Sequence, residues 1–185
     1  TVDFVNKKIK RINVTNGMSI TIAGNYFDYS DVDPSIVDGF GKEAAFNLPV
    51  LLCISTDDQY LFVNEYNKGK VRKINLNTFE VTTIFDIAGT QPTGLVCDDT
   101  YLYIGLGTKH VIYRMTLTGT ESHGSLSSSD QNIFAGTIDN NSSLDDGVVG
   151  TGKFMNLDTK ITINNAKTML AIPDTTSLRI VNISS

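Results

Sequence analysis

Ile9-Lys10-Arg11-Ile12-Asn13 returns as Val71-Arg72-Lys73-Ile74-Asn75, as Ile112-Tyr113-Arg114-Met115-Thr116 and as Leu178-Arg179-Ile180-Val181-Asn182. A second phrase, Ile22-Ala23-Gly24, returns as Ile87-Ala88-Gly89 and as Phe134-Ala135-Gly136. Self-similarity of this kind marks a repeat architecture, in which each unit buries its apolar face against the next. Repeat ends at Gly24, Gly89 and Gly136 leave a core unit of about 40 to 50 residues, the first carrying its excess in an acidic loop over 25–37.

Working outward from the first phrase, short strands and turns alternate. Residues 50–55 form an apolar run, Asp57-Asp58-Gln59 turns the chain, and 60–64 form a second strand. Asn67-Lys68-Gly69 turns into 70–75, where charged and branched apolar residues alternate at period two, the pattern of a strand with one wet face. Asn77-Thr78 turns again into 79–88. The plan repeats over 94–97, 101–105, 110–117 and 132–135, and then over 160–164, 168–172 and 177–183. No segment holds a 3.6-residue apolar period with caps, so almost no helix is expected.

Four strands joined by short turns make an antiparallel meander. Repeated meanders with Gly-rich connections predict an all-β β-propeller built from four-stranded antiparallel blades. The division is 1–24 as the end of a blade, 25–89 and 90–136 as blades, and 137–185 as an incomplete one. Only about three blades are present, starting at the close of a second strand and finishing in a third. The expected ring is therefore incomplete, to be closed by further blades of the same or another chain. An open arc exposes sheet faces and an edge.

Composition fits this frame. The 185 residues are 41% hydrophobic and 19% charged, as in a globular domain with a real core. A net charge of −5 argues against a sequence-independent phosphate-binding surface, so no nucleic-acid partner is expected. The basic cluster Lys7, Lys8, Lys10 and Arg11 is echoed by Lys68, Lys70, Arg72 and Lys73, which reads as a solvated strand face. No apolar run approaches the roughly 18 residues of a membrane span. Cys53 and Cys97 permit one disulfide and demand none; they occupy adjacent repeats at non-equivalent positions. Sequons at Asn13, Asn140, Asn141 and Asn182 are about as many as this composition produces by chance.

Three further phrases give the chain its likeness. Asp38-Gly39-Phe40-Gly41 runs to Ala44-Ala45-Phe46-Asn47-Leu48-Pro49, and Asp146-Gly147 runs to Phe154 and Leu157 with the same eight-residue step from Asp to Phe. Asp3, Asn6 and Ile9 keep an Asp-x-x-Asn-x-x-Ile spacing before the basic strand, and the Ala-Gly ending follows. In these phrases the chain resembles the NHL repeat, a six-bladed propeller unit. Asp158 stands where the first phrase has Pro49, the unit at Pro92 lacks the Asp-Gly-to-Phe phrase, and the turn after Glu65 carries one extra residue. Each phrase has a physical reason. Asp caps turn amides while Gly takes positive φ. Phe46 and Phe154 fill the space between neighbouring sheets. Pro49 starts a strand and should hold Leu48 extended. Asp3 and Asn6 suit a turn whose side chains bond their own backbone.

Chemistry is sparse. His110 opens a third strand, and His123 lies in the Ser-rich stretch Glu121-Ser122-His123-Gly124-Ser125. Neither belongs to a catalytic constellation. Some NHL-like propellers are lyases or hydrolases with metal-bound His near the axis, but no His recurs at inner-strand positions here. Asp28, Asp31, Asp33 and Asp38 make one acidic loop and Asp139, Asp145 and Asp146 another; Ca²⁺ could be held by such oxygens, though no ordered ligand spacing appears. Long loops over 25–37, 118–131 and 137–145 are where partners bind on a rigid scaffold, which makes Asp28, Asp31, Asp33, Glu121, His123, Asp139 and Asp145 the candidate interaction residues. The expected function is a non-catalytic propeller segment for protein–protein contact or assembly, extracellular or at a cell surface. The alternative is part of a propeller lyase or hydrolase completed by other blades.

Overall fold

The computed structural model describes residues 1–25, 37–123, 125–138, 147, 152–155, 157, 160–174 and 177–183. They form four sheets, antiparallel but for one added parallel strand, that stand side by side as the blades of a β-propeller whose ring is not closed. The first blade holds β1 (Val2–Asp3), β2 (Lys8–Ile12) and β3 (Ser19–Ala23). In the second, β4 (Gly39–Phe40) precedes β5 (Pro49–Ile54), β6 (Tyr60–Glu65), β7 (Lys70–Asn75) and β8 (Glu80–Ile87). The third holds β9 (Pro92–Cys97), β10 (Tyr101–Leu106), β11 (Val111–Thr116) and β13 (Ile133–Gly136), while β12 (Glu121–His123), between β11 and β13 in the chain, joins the sheet of the second blade. The fourth holds β14 (Thr162–Ile163), β15 (Met169–Asp174) and β16 (Ser177–Asn182). Among the described residues, helix is confined to three 3-10 turns, at Gly41–Glu43, Tyr66–Lys68 and Gly107–Lys109.

Register aligns the blades residue by residue. Glu65 pairs with Lys70, Leu106 with Val111 and Asp174 with Ser177. Val71, Ile112 and Leu178 thus share one place, and Arg72, Tyr113 and Arg179 the next. Side chains alternate across each sheet, so one strand feeds two cores. Phe62 packs toward the third blade with Leu102, Val111 and Tyr113, whereas Val63 packs toward the first with Ile9, Phe46 and Ile74. A third core joins Tyr103, Ile112 and Phe134 to Phe154, Leu170 and Ile172.

This sandwiching corrects the expectation of a wet face on β7. Arg72 is fully buried, because an inner blade is covered on both sides and its polar positions must pair rather than hydrate. Two further differences concern the backbone. Leu48 has φ 52 instead of an extended conformation; its carbonyl accepts a hydrogen bond from the Tyr66 N–H at 3.2 Å, which holds the turn despite Pro49. His110, with φ 56, ends the 3-10 turn before β11 instead of opening the strand, and its N–H donates to the Gly107 carbonyl.

The Ala-Gly endings are not all equivalent. Ala23 lies opposite Ile9 and Ala135 opposite Ile112, but the place opposite Val71 belongs to Phe85. Ile87-Ala88-Gly89 is displaced along the chain, where a Cβ added to Gly89 (φ 71) would meet nothing within 4 Å. At Gly24 and Gly136 the backbone requires glycine: both have φ 94, and an added Cβ would stand 2.4 Å from the carbonyl oxygen of Lys7 or His110.

The loop over 118–131 supplies β12, which runs parallel to the outer edge of the second blade, Glu121 beside Phe85 and His123 beside Ile87. At the other end of the same edge β4 pairs with Glu80 and Val81. Between them the Asp38 carboxylate accepts the Thr83 N–H at 3.0 Å. An edge strand that would invite foreign pairing is thus covered by the chain itself.

Cys53 and Cys97 form a disulfide with Cα atoms 6.6 Å apart, resolving what the sequence left open. Ile54 pairs with Leu61 as Cys97 pairs with Leu102, so the two cysteines are one residue out of step. In a strand, one step turns a side chain to the opposite face, so each sulfur looks across the gap at the other. The non-equivalence is what lets the bond join two blades.

Candidate functional site

Of the candidate interaction residues, Asp28, Asp31, Asp33, Asp139 and Asp145 lie outside the described residues, as does Asp146 of the structural phrase. Glu121 belongs to β12, and its Oε1 accepts the Asn132 amide at 3.0 Å. His123 is the last residue of that strand. Asn6 donates to Asp3 through its backbone N–H at 3.3 Å and its amide at 2.9 Å. Gly39 lies in β4 and Pro49 opens β5, while Gly147 is exposed. Phe46 and Phe154 are buried at 1% and 4% exposure, each beneath the glycine of a preceding blade, Gly24 and Gly136 respectively.

A buried charge cluster gathers around Arg72, where the sequence read only a solvated face. Its Nη1 donates to Glu65 Oε1 at 2.7 Å and to the Ala45 carbonyl at 3.0 Å. Its Nη2 donates to Asp38 Oδ1 at 2.6 Å and to the Val37 carbonyl at 2.9 Å. The guanidinium lies 5.3 Å from the Phe46 ring centroid, and the Asn47 N–H donates to Glu65 Oε2 at 2.5 Å. The Asp-Gly phrase therefore does more than tighten a turn: its carboxylate binds a cation 34 residues away.

The fourth blade repeats the arrangement. Arg179 stands 3.8 Å from Asp174 Oδ2, donates to the Lys153 carbonyl at 3.4 Å and lies 5.8 Å from the Phe154 centroid. The Met155 N–H, one residue after Phe154 as Asn47 is after Phe46, donates to Asp174 Oδ1 at 3.0 Å. In the first blade Lys10 pairs with Asp3 at 2.9 Å in the same places. The third blade replaces acid and base with Leu106 and Tyr113. A five- to seven-residue acid–base spacing, Asp3 to Lys10, Glu65 to Arg72 and Asp174 to Arg179, was the sequence signal for this cluster.

Environment splits the two carboxylates on Arg72. Burial pushes Glu65 above the usual carboxylate range, against the opposing pull of the Arg72 charge. For Asp38, burial also raises the pKa, but the Thr83 N–H, the Arg72 charge and the Thr83 hydroxyl outweigh it and hold the group below its ordinary value. Both terminal guanidinium nitrogens and all four carboxylate oxygens face protein groups, while Arg72 Nε is buried without a hydrogen-bond partner among the described residues; the chemistry of the cluster is that of a structural tie.

The inner strands β5 and β9 and the start of the fourth blade meet at a shared axis. Val50, Leu51, Leu52, Leu95, Val96, Lys160 and Ile161 line a cavity there of about 450 Å³. A second, of about 510 Å³, is bounded by Val50, Leu51, Tyr66, Thr93, Lys160 and Pro173. Two side chains tie the blades at this depth: Asn64 accepts the Leu51 N–H and donates to the Pro92 carbonyl at 2.6 Å, and the Thr93 hydroxyl donates to the Leu157 carbonyl. Among the described residues no group of three or more His, Cys, Asp or Glu is placed to hold a metal ion, and no helix is long and apolar enough to cross a membrane.

The chain matches no protein-family model and no curated protein sequence. Its fold is found in solved structures. A structural-genomics protein of unknown function from Bacteroides thetaiotaomicron superposes with a TM-score of 0.56 at 19% identity, over 74% of this chain and 34% of that one. Hydrazine synthase of Kuenenia stuttgartiensis superposes with a TM-score of 0.56 at 11% identity, over 98% of this chain and 41% of that one. This chain thus spans less than half the length of either. At such identities the likeness is one of fold, and the fold is that of a β-propeller.

Proposed function

We propose that this chain is an NHL-type propeller segment with a non-catalytic role in protein–protein contact or structural assembly, in an extracellular or cell-surface setting. One position, seen four times, carries the reading. Ile9, Val71 and Ile112 are each 0% exposed because the following blade covers them, whereas Leu178, in the same place on the fourth blade, is 65% exposed. Ile180 beside it is 55% exposed. At the opposite end Ile12 is 48% exposed, where its counterpart Ile74 is fully buried. Bare apolar faces of this kind mark interaction sites, and their shape suits a further propeller blade from the same or another chain.

The NHL assignment rests on the Asp-Gly-to-Phe and Asp-x-x-Asn-x-x-Ile phrases. The disulfide between blades supports an oxidising compartment. Sedimentation velocity over a range of concentrations tests the assembly. Association that Leu178→Asp abolishes is the expected result; a monomer at every concentration, indifferent to that substitution, overturns it. The axial cavities favour a second reading, a segment of a propeller lyase or hydrolase whose site other blades complete. Turnover by the assembled ring that is lost on replacing Lys160 would favour it.

A further inference from the structure

We propose that the groove between the third and fourth blades is a carboxylate-binding site, with Arg114 as the recognising group. The groove has a volume of about 500 Å³, and Tyr101, Thr116, Gln131, Phe134 and Asn182 line it beside Arg114. The guanidinium carbon lies 4.6 Å from the ring centroids of both Tyr101 and Phe134. Two aromatic rings thus fix the planar fork, and the donors not taken by the Tyr103 phenol are left to the groove.

Arg114 forms no ion pair with a carboxylate among the described residues, unlike Lys10, Lys70, Arg72, Lys167 and Arg179. Its polar neighbour is the Tyr103 phenol. The acid behind that phenol, Asp98, is already occupied: it accepts the Tyr103 hydroxyl at 2.9 Å and the Thr100 and Tyr101 N–H groups at 2.7 Å each. No acidic residue lines the groove among those described. In a chain of net charge −5, this half-buried cation faces a groove whose described lining holds no carboxylate.

The sister groove, between the second and third blades, is lined differently. Its volume is about 410 Å³, and Asp57 and Asp99 line it. Lys73 takes the place of Arg114, over the Tyr60 ring at 4.5 Å, and its amine reaches the Leu117 carbonyl at 3.5 Å. Among the described residues, the Arg114 groove sets a guanidinium fork, free of any carboxylate partner, against an acid-free wall. One guanidinium supplies one positive charge and two parallel donors, which matches a single carboxylate better than a phosphate dianion. The carboxylate can be free or carried by an acidic side chain of a peptide.

Titration of the ¹⁵N-labelled chain with acetate, with a blocked glycine–glutamate–glycine tripeptide, with its glutamine twin and with inorganic phosphate tests the site. Saturable shifts at Tyr101 and Phe134 with the glutamate peptide but not the glutamine peptide are expected. Shifts with acetate as well assign the site to any carboxylate; shifts with the peptide alone assign it to an acidic segment. Arg114→Gln should weaken binding at least tenfold, Arg114→Lys several-fold, and Lys73→Gln not at all. Equal binding of the two peptides, tighter binding of phosphate, no saturable shift with any probe, or wild-type affinity in Arg114→Gln overturns the proposal. The peptide pair decides the question on the unaltered chain. Because the groove lies apart from the bare face at Leu178, failure here and failure of the assembly reading are seen in different experiments.

Discussion

The second and third blades share a backbone plan and differ in how they fill one pair of positions. The second sets Glu65 against Arg72, both fully buried, and draws in Asp38, Phe46 and two backbone carbonyls. The third sets Leu106 against Tyr113, whose hydroxyl accepts the Asn132 amide at 2.9 Å. The difference follows the connection that precedes each blade. A loop bearing the Asp-Gly-to-Phe phrase precedes the second blade and supplies a carboxylate and carbonyls for a cation to hold. A short link precedes the third and supplies none, so the position reverts to packing. The buried cation is thus a device for fastening a loop to a blade, and it occurs where there is a loop to fasten.

The sharpest way to break the comparison is Arg72→Met. It strands Glu65 without a counter-charge at zero exposure and should destabilise the fold by about 3–5 kcal/mol. Tyr113→Phe, in the same place one blade later, removes one neutral hydroxyl from beside Asn132 and Glu121 and should cost about 1 kcal/mol. Converting the second blade to the third's solution with Glu65→Leu and Arg72→Tyr together should recover part of the loss, while the Val37 and Ala45 carbonyls still lack donors. Urea midpoints at constant m-value measure all three.

The disulfide comes next in size. Cys53 and Cys97 join the two blades being compared, 44 residues apart, and replacing both with serine should cost about 2–4 kcal/mol. The thermal midpoint of the unaltered chain should fall by a similar amount in reducing buffer, and that of the serine variant should not move. A reductant-insensitive midpoint in the unaltered chain would show that the blades are held without it.

A smaller effect separates two glycines that look alike in sequence. Gly136→Ala places a methyl 2.4 Å from the His110 carbonyl oxygen at φ 94, and a cost of about 2–3 kcal/mol is expected. Gly89→Ala meets nothing within 4 Å, so only the φ 71 conformation opposes it, at about 1 kcal/mol. Equal costs would restore the equivalence that the strand register denies.

That pair shows where the sequence was readable. Fold, strand order and most strand limits follow from the recurring third-strand phrase, since period-two alternation and turn residues are local properties. The misplaced Ala-Gly ending came from matching letters without a register, which only pairing partners such as Phe85 opposite Val71 can supply. Arg72 was misread for a related reason: alternation says which face a residue occupies, not whether a neighbouring blade covers that face. The strand Glu121–His123 was invisible because it pairs with β8, more than 30 residues earlier in the chain. Whether Cys53 and Cys97 are bonded stays open in the sequence because the one-residue offset that aims the two sulfurs at each other reads, on its own, as mere non-equivalence.

Acid titration gives the smallest and most discriminating comparison, because the two carboxylates on Arg72 respond with opposite signs. Asp38 is held below its ordinary value near 3.8, so its contribution is complete above that pH and is lost as pH falls through the lower folded value. Glu65 is raised above its ordinary value near 4.5, so its ionisation costs stability, progressively, as pH rises from there through the raised folded value. The corresponding pair of the third blade, Leu106 and a Tyr113 phenol pushed upward by burial, contributes nothing in this range. Asp3, Asp57 and Asp99 are also held low and supply a common background of acid sensitivity. Urea midpoints taken between about pH 6 and pH 2 should therefore fall less steeply at the acid end in Asp38→Asn than in the unaltered chain. In the Glu65→Leu and Arg72→Tyr double variant the acid-end fall should also shrink, because Asp38 loses the charge that helps hold it low. The stability that the unaltered chain loses on raising the pH through the Glu65 titration should vanish in the same variant. A double variant that kept both slopes would place the pH dependence elsewhere in the molecule and remove Arg72 from its centre.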